Sequence, residues 1–148
     1  MKTFSDLLDT DLEVEIKIAL GVSVDNGIPR CRVRINDEIL YDGTIDRELS
    51  WQCQRELLEP IDIEISMSNK QYDQHRETAV IIKQLTIDEF EIVPGWTHLA
   101  TYQNDHDRKA PTAYLGFNGT WRLFINRPFY QWRHEVTGQG WLLTPAIQ

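Results

Sequence analysis

The chain has 148 residues, with 23 acidic against 15 basic side chains and a net charge of −8. That length suits one domain able to bury a full core, and the acidic balance argues against a nucleic-acid-binding surface spread over the protein. No apolar run approaches the ~20 residues that cross a bilayer as a helix. The first residues, Met1 to Asp9, lack the apolar stretch of a signal peptide, so a cytosolic protein with no membrane contact is expected.

Charge and aromatic rings are unevenly spread. Residues 1–93 hold 20 acids and 10 bases, whereas residues 94–148 hold three acids, five bases, ten of the aromatic rings and four of the five tryptophans. The expected organisation is an acidic β body over residues 1–93 and an aromatic-rich C-terminal segment over 94–148, packed on the body or on a neighbouring subunit.

In chain order, Ser5-Asp6 caps a short amphipathic turn, the only helical signal. Val14, Ile16, Ile18, Leu20 and Val22 alternate with charged or small residues and predict a strand. Asn26-Gly27 predicts a hairpin into a return strand, in which Cys31, Val33 and Ile35 face inward and Arg30, Arg32 and Arg34 outward. Such an arginine row commonly pairs with acids on a neighbouring strand, and Glu13, Glu15 and Glu38 are available. Turns are expected at Asn36-Asp37 and Asp42-Gly43, with a strand through Leu49, Trp51 and Cys53 and a connector at Leu57 to Pro60.

The clearest pattern spans Ile61 to Ile92. Ile61, Ile63, Ile65 and Met67 alternate with Asp62, Glu64 and Ser66, a polar loop covers Asn69 to Thr78, and Ala79 to Ile82 is apolar on both faces, as in a central strand. Asp88-Glu89 marks a turn before Phe90 and Ile92. Thr101 to Pro111 reads as a surface loop, and Asn118-Gly119 as a hairpin turn between Tyr114–Phe117 and the strand Trp121, Leu123, Ile125, which Pro128 ends. Seven or so short strands predict an all-β antiparallel sandwich, jelly-roll-like, with the aromatic-rich C-terminal extension.

Catalytic signals are absent. The four histidines lack metal-ligand spacing, His134-Glu135 lacks the second histidine of a zinc helix, and adjacent strand carboxylates such as Asp88 and Glu89 point to opposite faces. A non-enzymatic protein is expected, and Cys31 and Cys53 read as small buried thiols.

Over residues 14–92, the sequence Ile65-Ser66-Met67-Ser68-Asn69, then Tyr72-Asp73, then Thr78 to Ile82 leading to Leu85-Thr86-Ile87-Asp88, resembles the calcium-dependent xylan-binding carbohydrate-binding modules. That resemblance implies a β-sandwich in which an asparagine-aspartate step and an acidic loop hold calcium that contacts sugar hydroxyls. Here Lys70 stands in place of the aspartate and disfavours calcium without excluding it, since Asp73 and Glu77 remain as oxygen donors beside Asn69; no cofactor is the expectation, with calcium as the alternative. Asn69, Tyr72, Asp73 and Glu77 are the candidate ligand-binding residues.

Modules similar to these sandwiches occur among bacteriophage virion proteins. The resemblance therefore implies a structural or assembly role as a virion component (capsid decoration, neck, tail or fibre attachment) assembled in the host cytoplasm, with other protein subunits as homo- or hetero-oligomeric partners. Trp121, Arg122, Arg127, Tyr130, Trp132, Arg133 and Trp141 form the candidate interface, because buried interfaces concentrate Trp, Tyr and Arg. On this reading, deleting residues 94–148 leaves a folded sandwich that no longer assembles. The alternative is a carbohydrate-binding module that recognises a polysaccharide through the Asn69–Thr78 loop or the tryptophans.

Overall fold

A computed structural model describes residues 12–25, 27–70, 78–104, 109–110 and 112–138. Its strands are β1 (Glu13–Val24), β2 (Arg30–Ile35), β3 (Glu38–Thr44), β4 (Leu49–Glu56), β5 (Ile61–Ser68), β6 (Thr78–Ile87), β7 (Phe90–Val93), β8 (Thr101–Asn104), β9 (Lys109–Ala110), β10 (Tyr114–Leu115) and β11 (Gly119–Ile125). A helix α1 (Phe129–Thr137) follows. The first sheet runs β10-β6-β1-β4 with β7 also along β6, and the second runs β3-β2-β5-β11-β8-β9. All pairs are antiparallel.

Period-two alternation drives this packing, since successive strand side chains point to opposite faces. Val14, Ile16, Ile18 and Leu20 of β1 are buried, as are Cys31, Val33 and Ile35 of β2 and Ile61, Ile63, Ile65 and Met67 of β5. The inward faces of the two sheets meet in one core. The expected all-β antiparallel sandwich is the observed fold.

Two expected hairpins are instead arches between sheets. β1 pairs with β4 and β6, and β2 pairs with β3 and β5, so the Asn26-Gly27 connection carries the chain across the sandwich. Pro29, one residue past the extent of a tight hairpin turn, lacks the N–H a ladder requires and is buried with its carbonyl accepting from Ile45 N–H at 3.0 Å. Likewise β10 joins the first sheet and β11 the second, so Asn118-Gly119 is not a hairpin turn. Gly119 is there for space: a Cβ would lie 2.4 Å from the Gln103 carbonyl oxygen of β8. Asp42-Gly43, expected as a turn, lies within β3.

The C-terminal segment is interleaved with the body. β11 sits between β5 and β8, with Leu123 opposite Ile63 and Trp121 opposite Ile65. Trp121, Leu123 and Ile125 are fully buried. The described part of residues 94–138 thus shares the core of residues 13–93. Helix α1 stands where the sequence pattern predicts no helix, although Pro128 immediately before it and Gly138 at its left-handed C-terminal cap, φ 71°, are common helix-boundary residues. Phe129 and Trp132, three apart, are its buried side chains. The proposed N-terminal turn lies outside the described residues.

Because β11 is an interior strand, deleting residues 94–148 is expected to leave an unfolded or aggregated product, seen as loss of a cooperative melt by circular dichroism. Trp121→Ala is expected to cost about 3–5 kcal/mol in chemical denaturation, the range for removing a large buried aromatic.

Candidate functional site

Strand register brings several connections to one end of the sandwich. Val24 pairs with Thr78, Arg30 with Ser68, Leu115 with Val80, and Gly119 with both Met67 and Asn104. The β1–β2 arch, the β5–β6 loop and the β10–β11 arch therefore share that end. Asn69, exposed with φ 63°, turns the chain out of β5. Tyr72, Asp73 and Glu77, in the same loop, lie outside the described residues.

Lys70 ties this loop to the neighbouring arch. Its backbone N–H donates to Asn118 Oδ1 at 2.9 Å, its ammonium donates to the Gly116 carbonyl, and the same ammonium lies 5.3 Å from the centroid of the Phe117 ring. Tyr102, buried beneath, donates its hydroxyl to the Phe117 carbonyl and accepts from Phe117 N–H at 3.1 Å. Phe117 is 38% exposed, and Tyr114, Ile28 and Val24 are exposed near the same end. Apart from Asn69 and Lys70, these residues carry no binding signal in the sequence, where Tyr114–Phe117 reads as a strand leading into a hairpin turn.

The described residues here do not fit a calcium ion. Calcium requires six to eight oxygen ligands, whereas the Gly116 carbonyl and the Asn118 side-chain oxygen are both engaged by Lys70, whose ammonium brings positive charge to that position. Among the described residues no three His, Cys, Asp or Glu side chains gather as a metal group.

The outward face of the second sheet carries the arginine row, with partners other than those expected. Arg30 and Arg32 donate to the two oxygens of Asp42 on β3, at 3.1 and 3.3 Å. Arg34 meets Glu64 of β5 at 2.7 Å, and Arg122 of β11 grips Asp62 with two hydrogen bonds of 2.8 and 3.0 Å. Glu13 and Glu15 are on β1 in the other sheet, out of register with β2, and Glu38 pairs with Arg55 instead. The hydrogen bond to Glu64 is the main reason the Arg34 pKa is raised, and the one to Asp62 does the same for Arg122. A shallow hollow on this face is lined by Arg30, Cys31, Arg32, Asp42, Ser66 and Ser68.

The candidate interface residues are engaged within the chain. Trp121 is 0% exposed and Trp132 6%, so the structure places both in this chain's own core rather than on a docking surface. The Trp121 indole N–H has no hydrogen-bond partner; its large apolar ring governs its burial. Trp132 and Phe129 form a ring cluster with Phe90, at 6.2 Å each, and the Arg133 guanidinium lies 5.2 Å from the Phe90 centroid. Arg127 comes within 3.0 Å of Glu135, an ion pair misaligned for a hydrogen bond. Tyr130 donates to Asp88 Oδ2 at 2.5 Å, while Asp88 Oδ1 accepts from Glu15 N–H at 2.7 Å. Trp141 lies outside the described residues.

The thiols are free, and they sit in different sheets. Burial, followed by the nearby Asp42 charge, pushes the Cys31 thiol up to about 12, which leaves it an inert packing group.

No protein-family model matches the chain, and no curated protein matches it. Among solved structures, it is similar to vCBM60, described with a circular permutation linking two families of calcium-dependent carbohydrate-binding modules. The two are 9% identical with a TM-score of 0.53, and the alignment covers 76% of this chain and 91% of that one. The shared feature is the fold of the sandwich.

Burial first, then the hydrogen bond to Asp88, raises the Tyr130 pKa. A phenol whose pKa is higher folded than unfolded lends stability below pH ~10 that is lost as pH climbs towards the folded value. Tyr130→Phe is therefore expected to cost about 1 kcal/mol at pH 7 and to flatten the alkaline loss of stability, measured by urea denaturation across pH 7–11. At the loop end, Lys70→Met is expected to lower the melting temperature by a few degrees, whereas adding calcium or chelator leaves the parent melt unchanged.

Proposed function

We propose that this chain is a non-catalytic carbohydrate-binding module whose glycan docks at the sandwich end formed by the Asn69–Thr78 loop and the β10–β11 arch. The observation that carries this reading is the likeness to vCBM60 over most of both chains, since that protein is a carbohydrate-binding module. Local chemistry supports the place. Sugar rings present C–H faces that pack on aromatic rings and hydroxyls that need donors and acceptors; the exposed Phe117 lies against Lys70, the residue after the exposed Asn69, and the exposed Tyr114 is on the strand that enters the same arch. The buried Trp121 and Trp132 offer no such platform.

The Lys70 ammonium engages the Gly116 carbonyl and its backbone N–H engages Asn118 Oδ1, so in this reading the glycan is held without calcium. A virion assembly role draws on the aromatic and arginine side chains as an open interface. Their described members have partners in their own chain, and no comparison supports that role.

Affinity electrophoresis through gels containing a panel of plant and microbial polysaccharides tests the proposal. At least one is expected to retard the parent equally with and without chelator. Phe117→Ala and Tyr114→Ala are each expected to weaken that binding about tenfold, equivalent to ~1.4 kcal/mol. Mobility unaffected by every polysaccharide would overturn the assignment.

A further inference from the structure

One hollow on the outward face of the second sheet is lined by two guanidiniums and a single carboxylate. On a protein of net charge −8, Arg34 and Arg122 lie among Asp62, Glu64 and Asp37, whereas among the described residues Arg30 and Arg32 have only Asp42. The excess positive charge is thus at this hollow, beside Asn69. There Arg30 and Arg32 share the single carboxylate of Asp42, whereas Arg34 has both Glu64 and Asp62 within 3.8 Å.

Each guanidinium has five N–H donors in a planar fork, and Arg30 and Arg32 each direct one nitrogen at Asp42. Their side chains are 49% and 55% exposed, so the remaining donors face solvent. Across the hollow, Ser68 is exposed and Ser66 shares a 3.2 Å hydrogen bond with Thr120. Two half-satisfied forks beside hydroxyls suit a planar oxyanion, which guanidinium binds in bidentate fashion. A neutral sugar would leave the extra positive charge unmatched.

Resting on the glycan-binding reading above, we infer that this hollow is an anion subsite and that the ligand is a carboxylated polysaccharide. One uronate carboxylate sits on Arg30 and Arg32, and the chain continues past Ser68 to the loop end. Asp42 is a built-in competitor that holds the two forks in place and sets a limit on affinity. Selectivity comes from this local pair, because the surrounding acidic surface repels polyanions that do not seat on it.

Calorimetry with polygalacturonate and with the same polymer fully methyl-esterified isolates the carboxylate, with neutral xylan as a third ligand. Polygalacturonate is expected to bind at least tenfold tighter than the ester, with an affinity that falls as salt rises. The double substitution Arg30→Ala with Arg32→Ala is expected to abolish that difference while the melt stays cooperative. Asp42→Asn is expected to strengthen polygalacturonate binding, a gain that a purely structural role for the cluster would not give. Equal binding of polymer and ester, or polygalacturonate affinity untouched by the double substitution, would overturn the subsite. If the parent binds only neutral xylan, the anion inference falls and the glycan-binding reading stands; if it binds none of the three and the wider gel panel is also negative, both fall.

Discussion

The central pairing of β5 with β2 on one side and β11 on the other is the constraint from which the rest of this molecule follows. Three parallel rows of apolar side chains, Cys31–Val33–Ile35, Ile61–Ile63–Ile65–Met67 and Trp121–Leu123–Ile125, are held in register and turned inward together. A one-residue slip in any of these strands would send a whole apolar row into water. The same register sends Arg30, Arg32, Arg34, Asp62, Glu64, Ser66, Thr120 and Arg122 outward, so the core and the charged face are two results of one alternation.

Closure of the opposite end depends on a smaller polar knot. Asp88 and Glu89 both have positive φ, 47° and 69°, a conformation that costs L residues energy and that Asp tolerates better than most. Asp88 is held there by three hydrogen bonds: its N–H donates to the Glu15 carbonyl at 2.8 Å, and its carboxylate accepts from Glu15 N–H and from the Tyr130 hydroxyl. That arrangement fixes helix α1 against the end of β1 and the β6–β7 turn. The ring cluster of Phe90, Phe129 and Trp132 then seals this side with apolar contact.

With one end closed by helix and rings, the other end carries the β1–β2 arch, the β5–β6 loop and the β10–β11 arch. Lys70 acts there as a covalently attached cation, linking the β5–β6 loop to the β10–β11 arch through a carbonyl and a ring face. The described groups around it are hydrogen-bonding atoms and the ring of the exposed Phe117.

Periodicity alone determined most of the strands and their inward faces, because alternation is a local property that each segment carries in its own residues; Ile61 to Met67 is the clearest instance. The all-β class and the arginine row followed from the same reasoning. Partner choice is not local. Nothing in Asn26-Gly27 or Asn118-Gly119 says whether the chain turns back beside its own strand or crosses to the facing sheet, and in both places packing of apolar faces across the core decided for crossing. For the same reason Arg30 and Arg32 share Asp42 rather than meeting Glu13 or Glu15, and Trp121 and Trp132 are core rather than surface. The residue types that could carry binding were visible in the sequence; which of them reach solvent together was set by tertiary packing, since exposure belongs to the assembled sheets and to no single strand.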